Sequence, residues 1–136
     1  MRLRVFLSIF LMMILAACSS TKTVVSDEVV FFGEGKYWDV KYTFNPELYK
    51  EKKISWVEME AKDLELSKLD LDQLVVELES RDGTVSGKVG DMEVKIEGKV
   101  LSFVVGTVNT DTFLEDEYKL KINYEDQQDV IKLKVE

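Results

Sequence analysis

The amino-acid sequence predicts an antiparallel, all-β domain of the sandwich or barrel type. Apolar and polar residues alternate with a period of two over several short segments, as expected for strands that bury one face. Residues typical of turns separate these segments at short intervals, which favours antiparallel connections. The chain has 136 residues, of which 46% are hydrophobic and 32% charged. This length and this balance suit one folded domain and argue against disorder or a polytopic membrane protein.

The domain is predicted to begin at Val29, and a strand is predicted soon after it. Residues 38–44 alternate between an aromatic, apolar face and a polar face, and Asn45-Pro46 ends the strand. Trp38 and Tyr42 share the apolar face, so the core is the favoured location for Trp38.

Residues 57–78 fit two patterns, since their apolar positions suit either strands or a helical stripe interrupted by the charged Lys68. We prefer strands. Residues 54–57 are strand-like, and residues 74–78 lead directly into the Asp82-Gly83 turn, as one arm of a hairpin would.

The rest of the predicted sheet consists of four alternating segments, at residues 92–96, 101–105, 118–124 and 131–135. Turn residues separate them at Gly90-Asp91, at Gly98-Lys99 and in the polar run 125–129. Each segment is predicted to be a half-buried strand with one face in water.

The N-terminal segment has the pattern of a signal peptide. Arg2 and Arg4 precede an uncharged run over residues 5–17. As a helix this run would span about 20 Å at about 1.5 Å per residue, which is short of the roughly 30 Å hydrocarbon core of a bilayer. We therefore interpret it as a signal segment and not as a permanent membrane span.

The tetrad Leu15-Ala16-Ala17-Cys18 resembles the bacterial lipobox. The resemblance implies cleavage between Ala17 and Cys18, a diacylglycerol on the Cys18 thiol, and a fatty acid such as palmitate on the new amino group. Two or more acyl chains hold a protein stably on a bilayer, which would place this chain on the extracytoplasmic face of the cell membrane. The sequence contains one cysteine. The alternative is a secretory peptide that ends near a buried free thiol, but no second cysteine exists to explain the first as a disulfide partner.

The predicted organisation is a signal peptide at 1–17, a lipidated tether at 18–28 and the β-domain at 29–136. Loss of Arg2 and Arg4 with the signal peptide changes the formal charge from −8 to −10. Such a charge repels nucleic-acid phosphates and anionic headgroups, so we expect no nucleic-acid partner. The covalent lipid at Cys18 is then the expected membrane contact.

The residues Phe32-Gly33-Glu34, with Trp38 after them, resemble the opening strand of small lipoproteins of Bacillus-type bacteria. In that family a Gly-Glu pair precedes a Trp, with three residues between them. Residues 122–133 resemble its closing hairpin, whereas Gly35 and Lys36 depart from its usual pattern. The resemblance implies an immunoglobulin-like β-sandwich of about seven to eight strands and implies no activity.

The residue inventory excludes several kinds of chemistry. With no histidine and one cysteine, the chain cannot form a Cys/His zinc site, a Ser-His-Asp triad or a disulfide scaffold. Residues 83–88 are one residue short of a phosphate-binding P-loop, and Val89 stands where Ser or Thr would bind magnesium. Composition alone does not exclude a glycosidase with two carboxylates. We nevertheless expect a non-enzymatic domain without a cofactor.

Two groups of residues are candidate sites. The acidic residues Glu115, Asp116 and Glu117 are a candidate calcium site, with a solvated acidic loop as the alternative. Tyr37 and Trp56 are candidates for a ligand surface, with packing against the core as the alternative.

Together these observations predict a lipid-anchored extracytoplasmic lipoprotein whose domain is a non-catalytic binding module. Its expected partner is an envelope protein or a glycan. The alternative is a structural or stress-associated envelope component without a discrete ligand.

Overall fold

The computed structural model describes residues 21–106, 109 and 111–136. Within them, one α-helix, α1, spans Pro46–Lys52, and two 3-10 helices span Leu66–Lys68 and Val89–Asp91. The strands are β1 (Val29–Glu34), β2 (Trp38–Phe44), β3 (Ile54–Ala61), β4 (Leu74–Glu79), β5 (Thr84–Lys88), β6 (Val94–Glu97), β7 (Val100–Gly106), β8 (Tyr118–Tyr124) and β9 (Gln127–Val135). The predicted all-β class is confirmed.

The strands of the described residues form one nine-stranded antiparallel sheet, in the order β5-β4-β8-β9-β1-β2-β3-β7-β6, which curls into a half-barrel. Strand β9 joins its two halves, because residues 127–133 pair with β8 whereas residues 134–135 pair with β1. The predicted antiparallel pairing is confirmed, with more strands than the seven to eight expected. The finer prediction of an immunoglobulin-like sandwich is not confirmed.

The core lies between the two halves of the curled sheet. At its centre the Tyr118 ring is 4.9 Å from the Phe31 ring and 4.6 Å from the Tyr42 ring, measured between centroids. Burial raises the pKa of both tyrosine hydroxyls, because desolvation disfavours the phenolate. Trp38 is 1% exposed, which confirms its predicted core location.

Two glycines allow β1 and the turn after it to approach β9. A Cβ atom at Gly33 would overlap the carbonyl oxygen of Lys132, and one at Gly35 would lie 2.6 Å from a carboxylate oxygen of Asp129. The Gly-Glu pair of the sequence motif therefore marks a close crossing of two backbones.

The helix α1 was missed by the sequence pattern, although its start has ordinary helix-forming residues. The Asn45 side chain accepts hydrogen bonds from the backbone N–H groups of Glu47 and Leu48, and Pro46 occupies the first helical turn. Asn45-Pro46 thus ends β2, as predicted, and also begins a helix.

Two other predictions can be compared with the strand bounds. Residues 57–78 hold the end of β3 and the start of β4, which confirms the preference for strands at both ends of this segment, whereas residues 62–73 between them form turns and the 3-10 helix Leu66–Lys68. The polar run 125–129 is only partly a turn, because β9 already begins at Gln127.

The register of the strands defines two ends of the domain. Val29 pairs with Phe44 and Ile54 pairs with Gly106, so these four residues lie at the same end. The end that we call the entry end holds residues 21–28, α1, the turn 80–83 and residues 109 and 111–117. The opposite end, which we call the turn end, holds the turns at residues 35–37, 98–99 and 125–126.

Candidate functional site

An open groove of about 730 Å³ lies on the face of β1, β2 and β3 that points away from the core. We call it, with a smaller depression described below, the outer groove. Its apolar surface comes from Val30, Phe32, Trp56 and Val135. Phe32 and Trp56 are half-buried, so each still presents part of its ring to solvent.

The strand register explains how these side chains come together. Val30 pairs with Thr43, which in turn pairs with Trp56, and this row crosses three strands. Thr43 is 4% exposed and forms the floor between its two larger neighbours. The next row on the same face is Phe32, Lys41 and Glu58. Two aromatic residues from different strands therefore flank a lysine and a glutamate.

The smaller depression, of about 250 Å³, continues the groove toward the turn end. It shares Phe32, Lys41 and Glu58 with the larger part. The carboxylates that line the two parts are those of Glu28, Asp39, Glu58, Glu60 and Glu136, against the single lysine Lys41. The Asp39 carboxylate is paired with Lys62 Nζ at 3.2 Å. The outer groove is therefore an apolar surface with a strongly acidic border.

The two aromatic residues proposed from the sequence do not form one surface. Trp56 lines the outer groove. Tyr37 lies at the turn end, packs against the core and donates its backbone N–H to Asp129 Oδ2 at 2.8 Å. Thr43, the partner of Trp56, is six residues from Tyr37 along the chain. That separation corresponds to about 20 Å along a strand.

From the sequence, Phe32 was identified only as part of the Phe32-Gly33-Glu34 motif and not as a candidate site residue. The alternation of β1 would have placed it with Val30 on the face opposite Phe31. What the alternation could not show is that this face lies beside Trp56, because that depends on the pairing of β1, β2 and β3.

The three acidic residues proposed as a calcium site have separate partners. Glu115 accepts the backbone N–H of Thr23 at 2.8 Å, and Glu117 is paired with Lys134 at 3.1 Å. These contacts lower the pKa of both glutamates. Asp116 is turned inward and bonded to Arg81 at 2.8 Å. Over residues 21–106, 109 and 111–136, no group of three or more acidic, His or Cys residues could hold a metal ion, so the calcium hypothesis has no geometric support.

The acidic segment instead holds the N-terminal chain against the domain, in an arrangement that we call the entry clamp. It consists of Arg81, residues 23–25 and residues 111–116. Thr23 O accepts the N–H of Leu114 at 2.9 Å, and Val25 N donates to Thr112 O at 3.0 Å. The described part of the predicted tether is thus bound to the domain over residues 23–25.

Arg81 is the centre of the entry clamp. Besides its pair with Asp116, its guanidinium donates to Asp111 O at 3.0 Å and lies 4.9 Å from the centre of the Phe113 ring. The second Asp116 oxygen accepts the N–H of Phe113 at 2.9 Å. The hydrogen bond to Asp82 is the main cause that raises the pKa of Arg81.

Residues 1–20, which include Ala17 and Cys18, lie outside the described residues, so cleavage and lipidation stay predictions. Among the residues that are described, no helix has the length and apolar character to cross a membrane. Comparisons with protein-family models, with curated proteins and with solved structures found no match for this chain.

Proposed function

We propose that this protein is a lipid-anchored lipoprotein on the extracytoplasmic face of the cell membrane, and that its β-domain is a non-catalytic binding module. The lipobox-like residues 15–18 support the anchor. The proposal includes no cofactor and no nucleic-acid partner. The family-like opening at residues 32–38 supports treating the curled sheet as a variant of the immunoglobulin-like sandwich.

The outer groove is the observation that carries the binding proposal. Aromatic rings that remain partly in solvent and lie together with other apolar side chains are enriched at contact surfaces. Five carboxylates border the groove, against Lys41 in its lining and Lys62 beside Asp39, and this excess of negative charge attracts a cationic partner. We infer that the occupant is an extended polypeptide segment that carries both apolar side chains and lysine or arginine.

The open shape of the groove supports binding in preference to catalysis. Catalytic carboxylates act in sites from which water is largely excluded, whereas Glu58 and Lys41 face an open surface. The absence of histidine from the sequence removes the most common general base.

The groove is tested with a synthetic peptide that alternates lysine and valine, and with a glutamate–valine counterpart. Binding is followed by the fluorescence anisotropy of a dye on the peptide, so that the parent and the Trp56→Ala variant, which lacks the tryptophan of the groove, are measured in the same way. Binding of the cationic peptide should weaken by at least about tenfold in Trp56→Ala and in Glu58→Lys, through lost apolar contact and reversed charge. The matched control is Val130→Ala, which truncates an exposed apolar residue, 54% exposed, outside the groove.

Equal binding of both peptides, or full affinity in Trp56→Ala, would refute this occupant. Binding of cell-wall oligosaccharides but of neither peptide would assign the groove to a glycan. If no peptide, glycan or envelope protein bound the groove, the chain would belong with structural envelope components.

The anchor is tested by replacing the lipidated residue. The parent protein should sediment with membranes and incorporate labelled fatty acid, whereas Cys18→Ser should do neither, because it lacks the thiol that accepts the lipid. Ser20→Ala is the control and should behave like the parent. Labelled fatty acid in the Cys18→Ser variant would overturn the anchor.

A further inference from the structure

The N-terminal chain is fixed to the domain before β1 begins. Thr23 is held by two hydrogen bonds, from its N–H to Glu115 Oε2 and from the Leu114 N–H to its carbonyl oxygen. Val25 is 8% exposed and belongs to the hydrophobic core. The chain is therefore attached at the entry end from Thr23 onward.

The segment that receives Thr23 is itself held in place. Arg81 bonds to the Asp116 side chain and to the Asp111 carbonyl, and it packs on the Phe113 ring. Asp116 is 8% exposed, so its pair with Arg81 is weakly screened by solvent on the aspartate side. A chain that is bound to this segment cannot swing freely about the domain.

The distance from the proposed lipid to the entry clamp is short. Thr23 follows Cys18 by five residues in the sequence. A fully extended chain of that length reaches at most about 18 Å. Strand β8 runs for seven residues from the entry end toward the turn end, which corresponds to about 24 Å. The lipid is thus attached close to the end of the strands at which residue 23 is bound.

The entry end also carries apolar side chains beside the attachment point. Val24 is 63% exposed and Leu114 is 41% exposed, and their segments are hydrogen-bonded to each other. Exposed apolar side chains of this kind partition into the headgroup region when a bilayer is near. Charge does not favour this contact, because the segments of the entry end carry nine acidic and four basic residues, so the attachment point and the apolar side chains have to bring this end to the lipid.

We propose that the entry clamp orients the domain, so that its entry end lies against the lipid surface and its turn end points away. This inference rests on the proposed lipid anchor at Cys18. In this orientation the part of the outer groove lined by Val30 and Trp56 opens close to the headgroups. The segment that binds there belongs to a partner that reaches the membrane surface.

The test uses the full lipidated protein in phosphatidylcholine vesicles. The single cysteine is blocked by its lipid, so one introduced cysteine can be labelled with a fluorescent donor. Leu114→Cys reports on the entry end and Asp126→Cys on the turn end. Energy transfer to a headgroup acceptor should be at least about twofold more efficient from position 114, given the length of the strands. Equal transfer, or stronger transfer from position 126, would overturn the orientation.

Loss of the anchor and loss of the orientation give different results. If the protein did not float with the vesicles, the lipid anchor would fail. If it floated without a difference between positions 114 and 126, only the orientation would fail.

The role of the clamp is tested by adding Arg81→Gln to both labelled proteins. The difference between the two positions should then disappear, whereas Lys68→Gln, which removes an exposed pair with Glu65, should preserve it. Val25→Pro is a second clamp variant, since it removes the N–H that bonds to Thr112 and leaves Arg81 intact. A difference that persisted in both clamp variants would refute orientation by the clamp.

Discussion

The two ends of the domain each contain a buried aspartate, and the two side chains are stabilised differently. Asp129, 5% exposed, accepts three backbone N–H groups at the turn end, those of Lys36, Tyr37 and Trp38. Asp116, at the entry end, combines one backbone N–H with the guanidinium of Arg81. Among the described residues no cation is paired with Asp129.

Because of this difference, we expect the hydrogen bonds of Asp129 to persist in the folded state and the contacts of the entry clamp to open more easily. The bonds of Asp129 fix the turn between β1 and β2 to the start of β9, and they involve only backbone groups of that turn. At the entry end, the segment that receives residues 23–25 is held by Arg81, whose side chain is 32% exposed. We therefore expect the turn end to open only with global unfolding, and the entry end to open locally.

The largest expected effect comes from removing the carboxylate at the turn end. Asp129→Ala leaves three N–H groups without their acceptor and should lower the free energy of unfolding by about 3–5 kcal/mol. Urea denaturation measures the loss. Asp126→Ala, on the neighbouring exposed turn, should change stability by less than about 0.5 kcal/mol. A loss below about 1 kcal/mol for Asp129→Ala would contradict the stronger hold that we expect at the turn end.

A smaller effect is expected at the entry end. Asp116→Ala removes the acceptor of both Arg81 and the Phe113 N–H and should cost about 2 kcal/mol. The loss should be local. Native-state hydrogen exchange should speed up at the amides of Val25 and Leu114 and stay unchanged at Trp38. Equal acceleration at all three amides would contradict local opening.

The smallest effect on the stability of the entry end is expected from lowering the pH. The pKa of Glu115 is lowered by the Thr23 N–H, and that of Glu117 is lowered by Lys134. A carboxylate with a lowered pKa in the folded state contributes stability above its ordinary pKa of 4.5 and loses it as the pH falls through the lowered value. Exchange at the Leu114 amide should therefore accelerate, relative to its intrinsic rate, below about pH 4.5. Glu115→Gln should reduce this pH dependence.

Several parts of the fold were predictable because they depend on local patterns. Alternation located β2, β7 and β8 and placed Trp38 in the core, since side-chain direction in a strand changes with each residue. Strand β5 was weakly marked because none of its residues is fully buried. The curl of the sheet was not predictable either, since it depends on β9 changing partner from β8 to β1.

The candidate sites were less predictable than the strands. Trp56 was identified from its residue type, but Tyr37 was grouped with it although the fold places it at the other end. The acidic residues 115–117 were correctly seen as a cluster in sequence, yet each one binds a different partner. Residue type alone does not show which side chains converge.

The sequence by itself determined which residues could form strands and where turns occur. It also excluded the kinds of site that need histidine or a second cysteine. It also contains the lipobox-like tetrad, which predicts where in the cell the protein is located. Only the tertiary structure decided that Phe32 and Trp56 share a groove and that Arg81 reaches Asp116. The physical reason is that such contacts join residues far apart in the chain, and their geometry is set by strand register and sheet curvature.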